Sequence, residues 1–256
     1  MAHSLTVNFM NARGDVLSGR LDVPEIFDET TLPPFGIYAH CFTCTKNISS
    51  AHNICQKLAD LGIAMLRFDF SGLGESQGAF EDTTVSRYID DIISAHRFLT
   101  DHYAAPTLLV GHSLGGLAAH YAADDLDSLI TCVSLNAPAT TKHTKNRIKD
   151  LSQNTLHTLD IMGREYPIKP DFLKDLDLYT VPNFNNTNVH RVILHERDDT
   201  IVPFYHAQLL YDALTMNKSL IQLTNTDHLI KNRDTAYRIA QIIYLLHSSS
   251  CIKDPS

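Results

Sequence analysis

The sequence has 256 residues, 44% hydrophobic and 20% charged, which suits one α/β domain with a sizeable core rather than two domains or a disordered chain. Its net charge is −8 with no long Lys/Arg run, so neither nucleic acid nor a membrane surface is expected as a partner. Five scattered cysteines argue against a disulfide framework and for a reducing compartment; Met1 to Met10 has no basic or apolar leader pattern, no apolar run reaches spanning length, and a cytoplasmic location is expected.

Leu5 to Phe9 and Leu17 to Val23 alternate in polarity around Asn11-Ala12-Arg13-Gly14-Asp15 and predict an antiparallel hairpin at a sheet edge. Pro24 to Pro34 reads as an acidic loop, and Phe35 to Ala39 as a central strand. Ile48 to Leu61 has helical spacing, with Ile48, Ala51, His52, Cys55, Leu58 and Ala59 on one side. Ala64 to Phe70 is a buried strand, Thr84 to Thr100 a helix, Thr107 to Val110 a strand and Leu117 to Ala123 a helix. Ile130 to Leu135 is the next strand. Ala139 to Asn188 then breaks the rhythm: it is polar, carries Pro167, Pro170 and Pro182, and predicts helical pieces over Lys145 to Met162 and Lys169 to Leu178. Val189 to His195 and Lys218 to Leu223 read as strands, Phe204 to Leu214 and Asp234 to His247 as helices, and Ser248 to Ser256 as a frayed tail. Alternating strands and helices imply a mostly parallel, doubly wound sheet of about eight strands. The whole of 1–256 is expected to be one domain, with 139–188 a small cap inserted over the C-terminal edge of the sheet.

The chemistry centres on Gly111-His112-Ser113-Leu114-Gly115, with Gly116 following. A strand precedes this G-x-S-x-G and a helix follows, the context of a nucleophile elbow. Its glycines remove side chains where strand and helix nearly touch, and the helix start offers N–H groups to a developing oxyanion. A serine nucleophile needs a base, and the base an orienting acid. The acid is expected after a late strand, where Asp198 and Asp199 compete. The base is expected after the last strand, at His228. One oxyanion N–H is expected from Leu114 and the other from the loop at His40-Cys41-Phe42-Thr43, with Phe42 preferred and Thr43 the fallback.

These features together resemble the α/β-hydrolase family over nearly the whole chain. Asp69-Phe70-Ser71-Gly72-Leu73-Gly74-Glu75-Ser76 resembles its aspartate-x-x-glycine-x-glycine-x-serine turn. His195 to Pro203 resembles its acid loop, H-x-x-x-D-x-x-V-P, which implies Asp199 as the acid. More narrowly, Ala39-His40-Cys41-Phe42-Thr43-Cys44 and Gly163-Arg164-Glu165-Tyr166 resemble bacterial hydrolases that occur alone or fused to an OsmC-like domain; no such domain is expected within this sequence. Many relatives have glycine where this chain has Cys41.

Cys41-Phe42-Thr43-Cys44 is also C-x-x-C, a redox pattern whose plainer reading is two small residues in the oxyanion loop. Gly72, Gly74 and Gly78 lack dinucleotide-binding spacing, and Lys142, His143 and Lys145 read as a solvated face. His52, His96, His102 and His120 do not cluster, so no metal is expected. The expected function is a serine hydrolase acting on small-molecule carboxylic esters through Ser113, Asp199 and His228, without a cofactor. A thioesterase or peptidase of the same fold, a binding protein with an idle triad, and a redox protein are the alternatives, and a homo-oligomer stays open. The expected substrate pocket involves His40, His112, Met162, Tyr166 and Phe172. More broadly, the apolar residues Leu156, Leu159, Ile161, Ile168 and Leu176 of the inserted segment either line it or form that segment's own core.

Overall fold

The computed structural model describes residues 2–27, 32–145, 148–149, 156–161, 163–180, 184 and 188–251. The chain opens with β1 (His3–Met10) and β2 (Val16–Val23), paired antiparallel. Asn11 shapes their turn by accepting the N–H groups of Arg13 and Asp15 on its side-chain oxygen, the local bonding that suits Asn to turns. Next come β3 (Phe35–Ala39), α1 (Ser49–Asp60), β4 (Ala64–Phe68), α2 (Val85–His102), β5 (Leu108–His112), α3 (Leu114–Ala122) and β6 (Thr131–Leu135). The inserted segment holds α4 (Lys142–Lys145), β7 (Ile148–Lys149), β8 (His157–Ile161), β9 (Arg164–Ile168) and α5 (Pro170–Leu178). The chain then returns through β10 (His190–Glu196), α6 (Tyr205–Ala213), β11 (Lys218–Leu223) and α7 (Arg233–Cys251).

The main sheet has eight strands in the order β1-β2-β4-β3-β5-β6-β10-β11. The two pairings involving β2 are antiparallel and the others parallel. The strands of the middle are buried along their whole length, as helices on both faces require. Their side chains alternate between two cores. Phe35, Ile37 and Leu109 join Ile92 of α2 and Ala118 of α3 on one face; Tyr38, Leu108 and Val110 join Ile54 of α1 and Ile239 of α7 on the other. No described helix is long and apolar enough to cross a membrane.

Three local expectations are corrected. β2 is buried on both faces instead of alternating, because β4 flanks it and its Asp22 is buried in a pair with Arg67 at 2.6 Å. On α1, His52 is exposed and Ile54 takes its place in the core. The stretch predicted helical over Lys145 to Met162 instead contributes β7 and β8 to a separate three-stranded antiparallel sheet, β7-β8-β9. That small sheet and α5 pack on the body through a core joining Leu159, Ile168, Phe172 and Leu176 to Val85, Leu114 and Leu117. Asp175 of α5 adds a polar tie, accepting the Val85 N–H at 2.7 Å at the start of α2, where a helix favours a carboxylate. Leu156, by contrast, is exposed.

Candidate active site

Close approach dictates the glycines around Ser113. A Cβ on Gly111 would stand 2.4 Å from Gly115 O, and one on Gly116 would stand 2.7 Å from the Ala137 Cβ. Between them Ser113 has φ 54° and ψ −124°, a backbone conformation that costs on the order of 1–3 kcal/mol for a residue with a side chain. Its N–H is anchored on Leu135 O at 2.9 Å. The sharp turn presents its hydroxyl at the C-terminal edge of the sheet, where ligands sit in open α/β folds.

Asp199, in the loop after β10, and His228, in the loop after β11, converge on that edge. His228 Nε2 is 3.1 Å from Ser113 Oγ, and its Nδ1 is 2.6 Å from Asp199 Oδ2. A carboxylate accepts, so Nδ1–H donates to Asp199 and Nε2 is left to accept the serine proton. The other oxygen of Asp199 accepts the N–H groups of Ile201 at 2.8 Å and Val202 at 3.0 Å. Burial alone raises the Asp199 pKa, but His228 and these two N–H groups outweigh it and hold the carboxyl below its usual range. Asp198 is exposed, and its N–H binds Glu196.

A further layer of side chains, not singled out from the sequence, fixes the two loops. Asn136 Oδ1 accepts the Glu196 N–H at 2.8 Å, and Asn136 Nδ2 donates to His228 O at 3.0 Å. Glu196 itself is 2% exposed and accepts the N–H groups of Asp198 and Thr226 on its two carboxylate oxygens. His195 donates Nε2–H to Val202 O at 2.7 Å. Asn at position 136, with φ 48°, carried the one local signal, since Asn tolerates the left-handed region.

The loop after β3 meets the start of α3. A Cβ on Gly115 would lie 2.3 Å from His40 O, so glycine permits this contact. Leu114 is the first residue of α3, where an N–H has no partner within the helix. Phe42 packs its ring against Phe80, Tyr88 and Phe172, at centroid distances of 5.5, 5.8 and 5.8 Å. The turn Cys41–Cys44 is closed by Cys44 N–H on Cys41 O at 3.1 Å, with Thr43 at φ 61°, the left-handed third residue that a type II turn requires. Cys41 and Cys44 are also joined by a disulfide, with Cα atoms 5.3 Å apart. This corrects the expectation of unpaired cysteines: two of the five are linked, while Cys55, Cys132 and Cys251 are free. The link spans one turn, so it braces this loop instead of forming a framework across the fold.

A cavity of about 400 Å³ opens beside Ser113, within the range of small-ligand sites. Ser113, His228, Phe42, Leu114, Cys41 and Thr43 all line it, together with Ile201, Val202 and Leu229. The small sheet contributes Leu159, Ile161, Arg164 and Tyr166. Three expected pocket residues lie elsewhere. His112 is fully buried, donating Nε2–H to His228 O at 2.7 Å, with its pKa pushed down to about 3 by burial and then by the neighbouring His228. His40 is fully buried, donating Nδ1–H to Cys41 O at 2.8 Å, and burial lowers its pKa to about 4. Phe172 is 1% exposed and supports the Phe42 ring from behind. Met162 lies outside the described residues.

Against known proteins, residues 44–248 match the family described as Hydrolase_4: Serine aminopeptidase, S33. The chain is 27% identical over 185 residues to the Homo sapiens "Palmitoyl-protein thioesterase ABHD10, mitochondrial", a match covering 68% of this chain and 60% of that protein. It thus spans about 60% of the length of that relative. The esterase domain of a Rhodothermus marinus protein superposes with a TM-score of 0.76 at 31% identity, over 97% of this chain and 98% of that one. Alpha/beta hydrolase domain-containing protein 10 from mouse superposes with a TM-score of 0.76 at 21% identity, over 96% of this chain and 99% of that one.

Proposed function

The chain belongs to the α/β-hydrolase family described as serine aminopeptidase, S33, and on that premise we propose that it cleaves small-molecule carboxylic esters through an acyl-Ser113 intermediate. The observation that carries this reading is the continuous chain Ser113 Oγ, His228, Asp199, at 3.1 and 2.6 Å, at the wall of a largely apolar cavity. His228 Nε2 takes the Ser113 proton as the oxygen attacks the carbonyl, and Asp199 stabilises the imidazolium. The N–H groups of Leu114 and Phe42 receive the oxyanion, each worth on the order of 10²–10³ in kcat. His228 then gives its proton to the departing alcohol. A water, deprotonated by His228, attacks the acyl carbon and returns Ser113 to its starting state.

The reading separates from its relatives by chemistry. An aminopeptidase needs an anion for the substrate's ammonium group, and no Asp or Glu is among the described residues lining the cavity. A thioester passes through the same acyl-enzyme; the human relative's name supports keeping thioesters as the second reading. The inserted segment between β6 and β10 acts as the cap in this proposal, because Leu159, Ile161 and Tyr166 wall the cavity. A cytoplasmic location, without a nucleic-acid partner, remains part of the proposal, set against the human relative's mitochondrial name and against the Cys41–Cys44 disulfide, which a reducing compartment disfavours. The test is turnover of p-nitrophenyl butyrate, a butyryl thioester and leucine p-nitroanilide by one preparation. The acyl ester should turn over and the anilide should not. Anilide cleavage in the absence of ester cleavage overturns the proposal.

A further inference from the structure

The small sheet sorts its side chains by face. Ile161 pairs with Arg164 and Leu159 with Tyr166 across the antiparallel β8–β9 hairpin. With a period of two these four share one face, and all four line the cavity that holds Ser113 and His228. Asp160, Glu165 and Lys149 take the other face, where Lys149 Nζ lies 3.2 Å from the first carboxylate and 3.0 Å from the second. On that outer face one ammonium serves two carboxylates. Of the described side chains lining the cavity, the Arg164 guanidinium is the one permanent charge. It has no hydrogen-bond or ion-pair partner among the described residues, and no Asp or Glu is among the described residues lining the cavity. In a chain of net charge −8, an exposed cation thus lines a mainly apolar cavity with no counter-ion among the described residues.

We infer, resting on the hydrolase reading above, that Arg164 recognises an anionic group, a carboxylate or phosphate, attached to the acyl or the alcohol part of the ester. A guanidinium suits this role because its planar fork binds either oxyanion with two parallel N–H bonds. Ile161 and Tyr166 flank Arg164 on the same face, and because Arg164 is exposed to solvent the pair is screened and modest in strength. The anion is therefore a selectivity handle, separate from the carbonyl that Ser113 attacks.

The experiment compares two pairs of esters on one preparation. Mono-p-nitrophenyl suberate against p-nitrophenyl octanoate places the charge on the acyl side. The butyrate of 4-hydroxybenzoate against that of its methyl ester places it on the leaving group. Within a pair, the ratio of kcat/KM cancels the fraction of active protein, so a partly unfolded variant still reports. Arg164→Gln should lower the anionic-to-neutral ratio about three- to fivefold for one pair, the scale of a solvent-exposed ion pair, and Arg164→Glu should lower it further. The pair that responds identifies the side carrying the charge. Added salt should erode the wild-type ratio. Ratios that stay within about twofold of wild type in both variants, while the neutral esters are turned over, overturn the role of Arg164 alone. If no ester is turned over by wild type, the hydrolase reading falls and the substrate inference falls with it.

Discussion

Asn136 binds both loops that carry the candidate acid and base: its amide oxygen accepts the Glu196 N–H at 2.8 Å and its amide nitrogen donates to His228 O at 3.0 Å. Its φ of 48° makes alanine a poor probe, because strain would mix with loss of the amide. Asn136→Gly keeps the backbone conformation and removes only the side chain. This variant is expected to lose about ten- to hundredfold in kcat, the scale of a displacement near 1 Å at the reacting groups, with a smaller change in KM. Steady-state kinetics on the best ester check this; an unchanged kcat contradicts a positioning role.

The two adjacent aspartates should differ sharply. Asp199 is 7% exposed and holds His228 Nδ1–H, while Asp198 is exposed. Asp199→Asn should cost on the order of 10⁴ in kcat through loss of the imidazole's orientation and charge stabilisation. Asp198→Asn should stay within about threefold of wild type, as surface substitutions away from the chemistry do. Reversed severities would place the acid one residue away.

Local patterns made much of this site legible in advance. G-H-S-L-G-G could be read because each glycine answers a contact that one turn of chain determines. The acid remained open between two residues until the loop pattern was recognised, since adjacent aspartates are equally able to shape a turn. Fold contacts that arise between distant elements were not legible. His40 and His112 stand at strand ends beside the site, but both turn inward to bind backbone oxygens. Leu159 and Ile161 alternate with Thr158 and Asp160, a strand signal that the surrounding polar stretch masked as helix. The Cys41–Cys44 spacing was visible, but whether the two thiols are joined depends on geometry and environment that spacing does not express.

The cysteine assignment has its own measurement. Protein prepared without reductant and denatured should titrate as three free thiols, with two more appearing after reduction, because two of the five cysteines are linked. A value of five before reduction contradicts the cross-link. Because the linked turn carries Phe42, reduction should lower kcat by about threefold or more through a looser oxyanion donor.

Stability should fall on mild acidification. Burial lowers the pKa of His40 to about 4 and of His112 to about 3 in the folded chain, against about 6.5 for an unfolded histidine. Above about pH 6.5 both states hold these rings neutral, so they add no pH dependence. Below it the unfolded chain takes up protons that the native chain refuses, so unfolding becomes easier as pH falls toward 4. His247, lowered to about 4, and His120 act in the same direction. Asp199, whose pKa is lowered, adds its loss further down, as pH falls below its unfolded value. The urea midpoint should therefore drop between pH 7 and pH 4.5, and less steeply in His112→Gln. A midpoint independent of pH over that interval contradicts the buried neutral histidines.

The central claim is that Ser113 Oγ forms the covalent bond to the acyl group. The most direct measurement is mass spectrometry of the intact and digested protein after treatment with a fluorophosphonate, which traps a serine activated by a histidine. One phosphonyl adduct should appear, located on Ser113, at a rate that falls by orders of magnitude in His228→Ala; Ser113→Ala should remain unlabelled and should lose ester turnover. An unmodified wild-type protein, or a Ser113→Ala variant that still hydrolyses the ester at the wild-type rate, would contradict the account.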